Sequence, residues 1–146
     1  MGLLIRAAGP TDRDRLRELT FESKAHWGYE PDLVRRWADG LTFEAGDDRW
    51  VAEADGRVVA WVGLSPPHEG VAILDDLWVD PQWIGRGIGT RLFRVAADRA
   101  RRLGAARLEW DAEPHALGFY EQLGGRFLRE HVTEWGRPGS WYGIDL

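Results

Sequence analysis

Residues 80–92 read DPQWIGRGIGTRL and place three glycines, Gly85, Gly87 and Gly89, within five positions. A strand-like apolar run (VAILDDLWV, 71–79) precedes them and a helix-like run follows. Glycine gives up more backbone freedom on folding than any other residue, so backbone shape or a close neighbour must exclude side chains here. A strand, a glycine-rich turn and a helix start together make an anion site. The first helical N–H groups lack partners and the helix dipole is positive there. Glycines let phosphate oxygens come within hydrogen-bonding distance of that backbone.

The surrounding pattern says what scaffold carries this turn. Apolar alternation predicts strands at 3–7, 49–54, 57–64, 71–79 and 106–111, and two more near 126–133 and 140–145. Asp55-Gly56 signals a tight hairpin, and Pro66-Pro67 closes its second strand. Helices are predicted from Pro10 to near Lys24, from Pro31 to near Asp39, and from Pro114 to near Leu123, where Gly124-Gly125 stops the last. The clearest helix follows the glycines: Ile88, Leu92, Val95, Ala96, Ala100 and Leu103 recur at helical spacing, with Gly104 at the stop position. The order β-αα-βββ-α-β-α-ββ predicts a mostly antiparallel sheet with helices on both faces. At 146 residues this is one domain, 1–146.

Three phosphate-binding patterns compete for the glycine turn. A P-loop needs Gly-Lys-Ser/Thr, and Thr90 follows Gly89 with no lysine before it. A dinucleotide fingerprint needs G-x-G-x-x-G/A, whereas Gly85-Arg86-Gly87-Ile88-Gly89-Thr90 ends in threonine. Glu109 lies where an acidic ribose ligand would, yet that fold begins with this unit and here about 80 residues precede it.

The third pattern fits the order of elements. IGRGIGTRL resembles the R/Q-x-x-G-x-G/A signature of the GNAT superfamily of N-acetyltransferases, with Ile84 in first place and Gly87 and Gly89 as its glycines. LWVDP is similar to the family's splayed fourth strand, and EPHALGFYEQLGGRF to its segment Asn-Ala-x-x-Phe-Tyr-x-x-x-Gly-Phe. SKAHWGYE, 23–30, resembles the loop between the first two helices in one bacterial branch. Two positions depart from the pattern: Ile84 replaces Arg or Gln, and His115 stands where Asn is common.

The resemblance implies a sheet with a splayed central strand pair and acetyl-CoA as cosubstrate. The cosubstrate would lie in a V between the strand ending at Val79 and the strand at 106–111. Its pantetheine would bond the backbone of Leu77 and Val79, with His115 beside it. Its pyrophosphate would meet the N–H groups of Ile84, Gly85, Arg86, Gly87, Ile88, Gly89 and Thr90, with the Arg86 and Arg91 side chains near phosphate oxygens. Tyr120, the tyrosine of the Phe-Tyr pair, would protonate the departing thiolate. Trp27 and Tyr29 would bound the acceptor pocket.

Transfer to nitrogen needs a neutral amine. For a lysine-like amine of pKa ~10.4, deprotonation at pH 7 costs roughly 4.6 kcal/mol, so a base must take the proton. Asp75 and Asp76 sit mid-strand, and strict alternation puts them on opposite faces, Asp75 sharing the face of Leu77 and Val79. An aspartate inside an apolar run is costly unless partnered. Glu109, on the other side of the V, and Glu22 are further candidates for the base or the acceptor contact.

The net charge of −5 conceals an asymmetry: Arg86 to Arg107 holds seven arginines against Asp98, net +6, and the remainder is −11. That points to a local anionic ligand rather than a nucleic-acid surface. Lys24 is the only lysine, which reads as compositional bias. Without cysteine, disulfides and thiolate chemistry are excluded, and His26, His68, His115 and His131 show no metal-ligand spacing. No apolar run reaches membrane-spanning length, so a cytoplasmic protein is expected. The reading is direct acetyl transfer to a small-molecule amine, without an acyl-enzyme, and it leaves a homodimer open. The alternatives are a non-catalytic CoA-binding or interaction protein on the same fold, and an acetyltransferase acting on protein or tRNA-linked amines.

Overall fold

The computed structural model describes residues 2–133 and 136–146. Its strands are β1 (Leu3–Ala7), β2 (Asp48–Ala54), β3 (Arg57–His68), β4 (Val71–Val79), β5 (Arg107–Ala112), β6 (Arg126–Val132) and β7 (Pro138–Asp145). Its helices are α1 (Arg13–His26), α2 (Pro31–Asp39), α3 (Ile88–Arg102) and α4 (Leu117–Gln122). Short 3-10 turns at Pro10–Asp12 and Pro114–Ala116 lead into α1 and α4, so both helices start later than the proline signals suggest. The sheet order is β1-β2-β3-β4-β5-β7-β6, and β4–β5 is its parallel pair among antiparallel neighbours. The expected mixed, mostly antiparallel sheet is thus observed.

Each sheet face buries its own cluster. On one face α3 inserts Ile88, Leu92, Phe93, Ala96, Ala97 and Ala100 against Val59, Val62, Leu108 and Trp110. On the other, Leu16 and Leu19 of α1 meet Val51, Val58 and Trp61. A fully buried large aliphatic side chain contributes about 1.5–3 kcal/mol, so these two faces hold the layers together. Trp61 reaches further: its indole N–H donates to Thr20 Oγ1 at 2.9 Å, and that hydroxyl donates to the Leu16 carbonyl at 2.7 Å. All of this lies in fully buried space.

Two local irregularities differ from the sequence reading. β3 continues through Pro66-Pro67 to His68, because the prolines occupy a lapse in pairing between Ser65↔Ile73 and His68↔Val71. There no ladder hydrogen bond is asked of them, and the flanking strand β2 has already ended at the Asp48↔Leu64 rung. The second irregularity falls in β4, where Gly63 pairs Asp76 but Leu64 pairs Leu74, leaving Asp75 as an extra residue. A bulge bends its strand and interrupts alternation. Accordingly Ala72, Leu74, Leu77 and Val79 all join the α3-side cluster, which a strict period of two could not achieve.

The Thr20–Trp61 bond generates a stability prediction. Thr20→Val keeps the shape but leaves a buried indole N–H without an acceptor, so urea unfolding should show a loss of about 1–3 kcal/mol. Thr20→Ser, which restores the hydroxyl, should recover most of it.

Candidate active site

Parallel pairing of β4 with β5 lasts for three rungs, ending at Ile73↔Glu109. Beyond that rung the strands part around a cleft of about 420 Å³. The Asp80 N–H donates to Val59 O at 2.8 Å, so it points toward β3. Backbone groups alternate direction along a strand, and Leu77 and Val79 therefore present theirs to the gap. The Val79 carbonyl accepts from Ser23 Oγ at 2.7 Å, which ties the end of α1 to this open edge.

At the gap's far end Gly87 begins α3, with φ +80°, and Gly85 has φ +83°. A Cβ at either would meet nothing within 4 Å, so left-handed backbone, rather than crowding, demands these two glycines. Gly89 differs. Its Cβ would come within 3.3 Å of the Phe119 ring and 3.7 Å of Val79 Cγ2. Ile84, Gly85, Gly87, Ile88, Gly89 and Thr90 line the cleft. The N–H groups of the first α3 turn have no helical acceptor. Arg86 and Arg91 lie outside the lining; the Arg86 guanidinium sits over Trp83 at 4.4 Å and bonds the Gln82 carbonyl.

Both aspartates of β4 line the cleft, which corrects the expectation of opposite faces with Asp75 beside Leu77 and Val79. The bulge removes Asp75 from the alternation. Asp76 accepts from the Trp78 indole at 3.0 Å, two residues along the same face. Asp75 is exposed to solvent within the concavity. Burial still pushes its carboxyl above the usual range, with Ser65 hydrogen bonds opposing and Asp47 adding to the rise.

Tyr120 is buried against Phe93, Trp110 and Phe119, and it lines the cleft. Among the described residues nothing bonds its hydroxyl. Burial raises its pKa, and the charges of Glu113, Asp111 and Asp76 raise it further, so the phenol stays protonated through the neutral range.

Glu109 does not line the cleft. It sits on the last paired rung, buried, accepting from the Trp141 indole at 2.6 Å with Arg107 at 3.1 Å. Asp111, two residues along the same face and past the divergence, lines it instead. Glu22 is engaged by Arg15 at 3.0 Å.

The sequence reading also missed Glu113, which joins the two arms of the site. Its carboxylate accepts from Lys24 Nζ at 2.6 Å and Tyr29 Oη at 2.9 Å, and lies 2.6 Å from His115 Nδ1. Burial pushes the Glu113 carboxyl up, but hydrogen bonds from Lys24, His115 and Tyr29 and the lysine charge outweigh it and lower its pKa. An ionised carboxylate only accepts, so Nδ1 carries the hydrogen in this contact. The Trp27 ring stacks on the imidazole, 5.1 Å between centroids and 6° from parallel. Burial and Glu113 push the Tyr29 phenol up to about 12. The one lysine of the chain is therefore paired within the protein. Trp27 and His115 line the cleft. Tyr29 lines a second cavity of about 200 Å³ that adjoins it at Asp75, Trp78, Asp111 and Glu113.

The acetyltransferase (GNAT) family model matches residues 13–125. An uncharacterised N-acetyltransferase of Methanocaldococcus jannaschii is 31% identical, over 82% of this chain and 59% of its own length. The chain thus spans less than two thirds of that relative. Among solved structures, the PaiA N-acetyltransferase of Thermoplasma acidophilum, in complex with coenzyme A, superposes over all of both chains with TM-score 0.81 at 16% identity. An aminoglycoside 6'-N-acetyltransferase complexed with coenzyme A gives TM-score 0.74 at 17% identity, over 97% of this chain and 96% of its own. At such identities these two structures speak for the fold. No helix among the described residues is long and apolar enough to cross a membrane.

The Lys24–Glu113 pair can be tested directly. Glu113→Ala removes the carboxylate paired with a buried ammonium and should cost about 3–5 kcal/mol in urea unfolding, whereas Lys24→Met combined with Glu113→Leu should recover most of that loss. Because the Glu113 pKa is lowered, its contribution is present above the ordinary glutamate range, about 4.3, and disappears as pH falls through the folded value.

Proposed function

We propose that this chain, which belongs to the acetyltransferase (GNAT) family, transfers the acetyl group of acetyl-CoA to the primary amine of a small molecule by direct attack in a ternary complex. The observation that carries this reading is the cleft itself. An unpaired β4 edge at Leu77 and Val79 runs toward the unbonded N–H groups that open α3. The residues fit the cosubstrate. An extended pantetheine amide chain can add to the open edge as a strand does, and a pyrophosphate can accept from Gly87 to Thr90. The open space above Gly85 and Gly87 leaves room for phosphate oxygens. Two structurally similar proteins were themselves solved with coenzyme A.

Bound acetyl-CoA supplies an activated acyl carbon on a thiol leaving group; the chain's own groups handle position and protons. Asp75 takes the proton of the acceptor ammonium, because its raised pKa brings it nearer the operating pH than an ordinary aspartate. The freed nitrogen lone pair forms the C–N bond as the C–S bond breaks, and the second proton that the nitrogen then loses, passed through solvent, restores the one that Tyr120 gives to the sulfur. Tyr120 donates its phenolic hydrogen toward the departing sulfur. Asp76, bonded to Trp78, keeps the floor of the cleft polar and fixed.

Two mutants test the assignment. In the wild type, kcat/KM should fall as pH drops through the raised Asp75 pKa, above the ordinary aspartate value of about 3.9. Asp75→Asn should lose most near neutrality, recovering toward pH 10 where free amine exists without help; an equal loss at all pH would make Asp75 structural. Tyr120→Phe should lower turnover by roughly 10²-fold, the low end for a positioned acid because a thiol leaves readily. Its melting temperature and acetyl-CoA affinity should scarcely change, since no group among the described residues bonds the hydroxyl. Full activity in that mutant would remove Tyr120 from the chemistry.

A further inference from the structure

Among the described residues, the second cavity is lined by none from the glycine turn or from α3. If acyl transfer occurs as read above, this is the acceptor's side, and its charges describe the acceptor. Its apolar walls are Tyr29, Trp37 and Trp78. Asp75 and Asp111 stand where it meets the cleft. Of its two cations, Lys24 is committed to Glu113 at 2.6 Å. Arg137 is not committed: among the described residues no carboxylate lies within ion-pair distance of its guanidinium, which sits 5.9 Å from the centre of the Tyr29 ring. Its backbone is nevertheless held, its carbonyl accepting from Thr133 N at 2.8 Å and from Thr133 Oγ1 at 3.1 Å.

We propose that this cavity selects an acceptor bearing both an amine and a carboxylate, that is, an amino acid, with Arg137 binding the carboxylate and the amine lying at the Asp75–Asp111 junction. Such a ligand matches the Arg137 cation and the Asp75 and Asp111 carboxylates that line the cavity. A diamine would set its second ammonium against Arg137. A plain alkylamine would leave the exposed guanidinium beside Tyr29 without a ligand partner. Arginine's planar fork pairs with a carboxylate through two parallel hydrogen bonds, which makes Arg137 a specificity-determining residue.

The test is a set of matched acceptors: the ω-amino acids from glycine to 6-aminohexanoate, and the alkylamines and diamines of the same lengths, with free thiol release followed. The best amino acid should exceed its matched alkylamine and diamine by roughly 10- to 100-fold in kcat/KM, the range of a charge-assisted hydrogen bond. Arg137→Gln should erase that preference through KM. Calorimetry of the same compounds on the protein saturated with CoA should show the same ranking without turnover. Transfer that proceeds with equal or better efficiency to alkylamines or diamines overturns the proposal while leaving acetyl transfer intact. So does an Arg137→Gln loss that is equal across the three series. Absence of transfer to every amine, with no amino-acid preference in calorimetry, overturns both.

Discussion

The site depends on one constraint: β4 and β5 pair for only three rungs and then part. Two strands that separate inside a sheet leave backbone donors and acceptors unpaired, which costs free energy unless something fills the gap or water reaches it. Here the Asp75 bulge falls in β4 just past the last paired rung, Ile73↔Glu109, and the backbone of Leu77 and Val79 is left facing open space. One of those groups, the Val79 carbonyl, is held by Ser23 from α1. The rest of the edge is what an extended amide chain can complete. The α3 N-terminus stands at the end of that edge, because Gly85 and Gly87 turn the chain through left-handed conformations that only glycine adopts cheaply.

A divergent strand pair would be loose without a tie across it. Glu113 supplies that tie. It stands just past the end of β5, yet it binds Lys24 and Tyr29 from the α1–α2 region on the opposite arm, with Trp27 stacked on His115 alongside. The same contacts that close the V also wall the acceptor side, so the rigidity of the opening and the shape of the pocket have a common origin. Tyr120 is positioned independently of them, by packing of its ring against Trp110 and Phe93 on the α3 face.

Much of this was legible in the sequence because it is encoded locally. The glycine turn, the apolar face of α3 and the Asp55-Gly56 hairpin each specify a backbone shape within a few residues. The strand ends and the side-chain parity of β4 were not legible. A bulge is set by how β3 and β4 register against each other, so counting by twos from Leu77 could not show that Asp75 and Asp76 both line the cleft. The same limit applies to β5. Glu109 and Asp111 share a face, and only the length of the β4–β5 pairing shows that the first is covered and the second open. Lys24 and Glu113 lie 89 positions apart, so no spacing rule could join them. The prolines of β3 misled for a related reason: proline ends a fully bonded ladder, but this ladder had already lapsed at that point.

The central claim is that the open β4 edge and the α3 N-terminus together receive acetyl-CoA. Amide hydrogen exchange measured with and without acetyl-CoA tests it most directly. The account predicts that the Leu77 and Val79 amides, together with those from Gly87 to Thr90, slow by roughly tenfold or more on binding, the protection that about 1.4 kcal/mol of added stability gives. Saturating acetyl-CoA that leaves the Leu77 and Val79 amides exchanging at their free rates would contradict it.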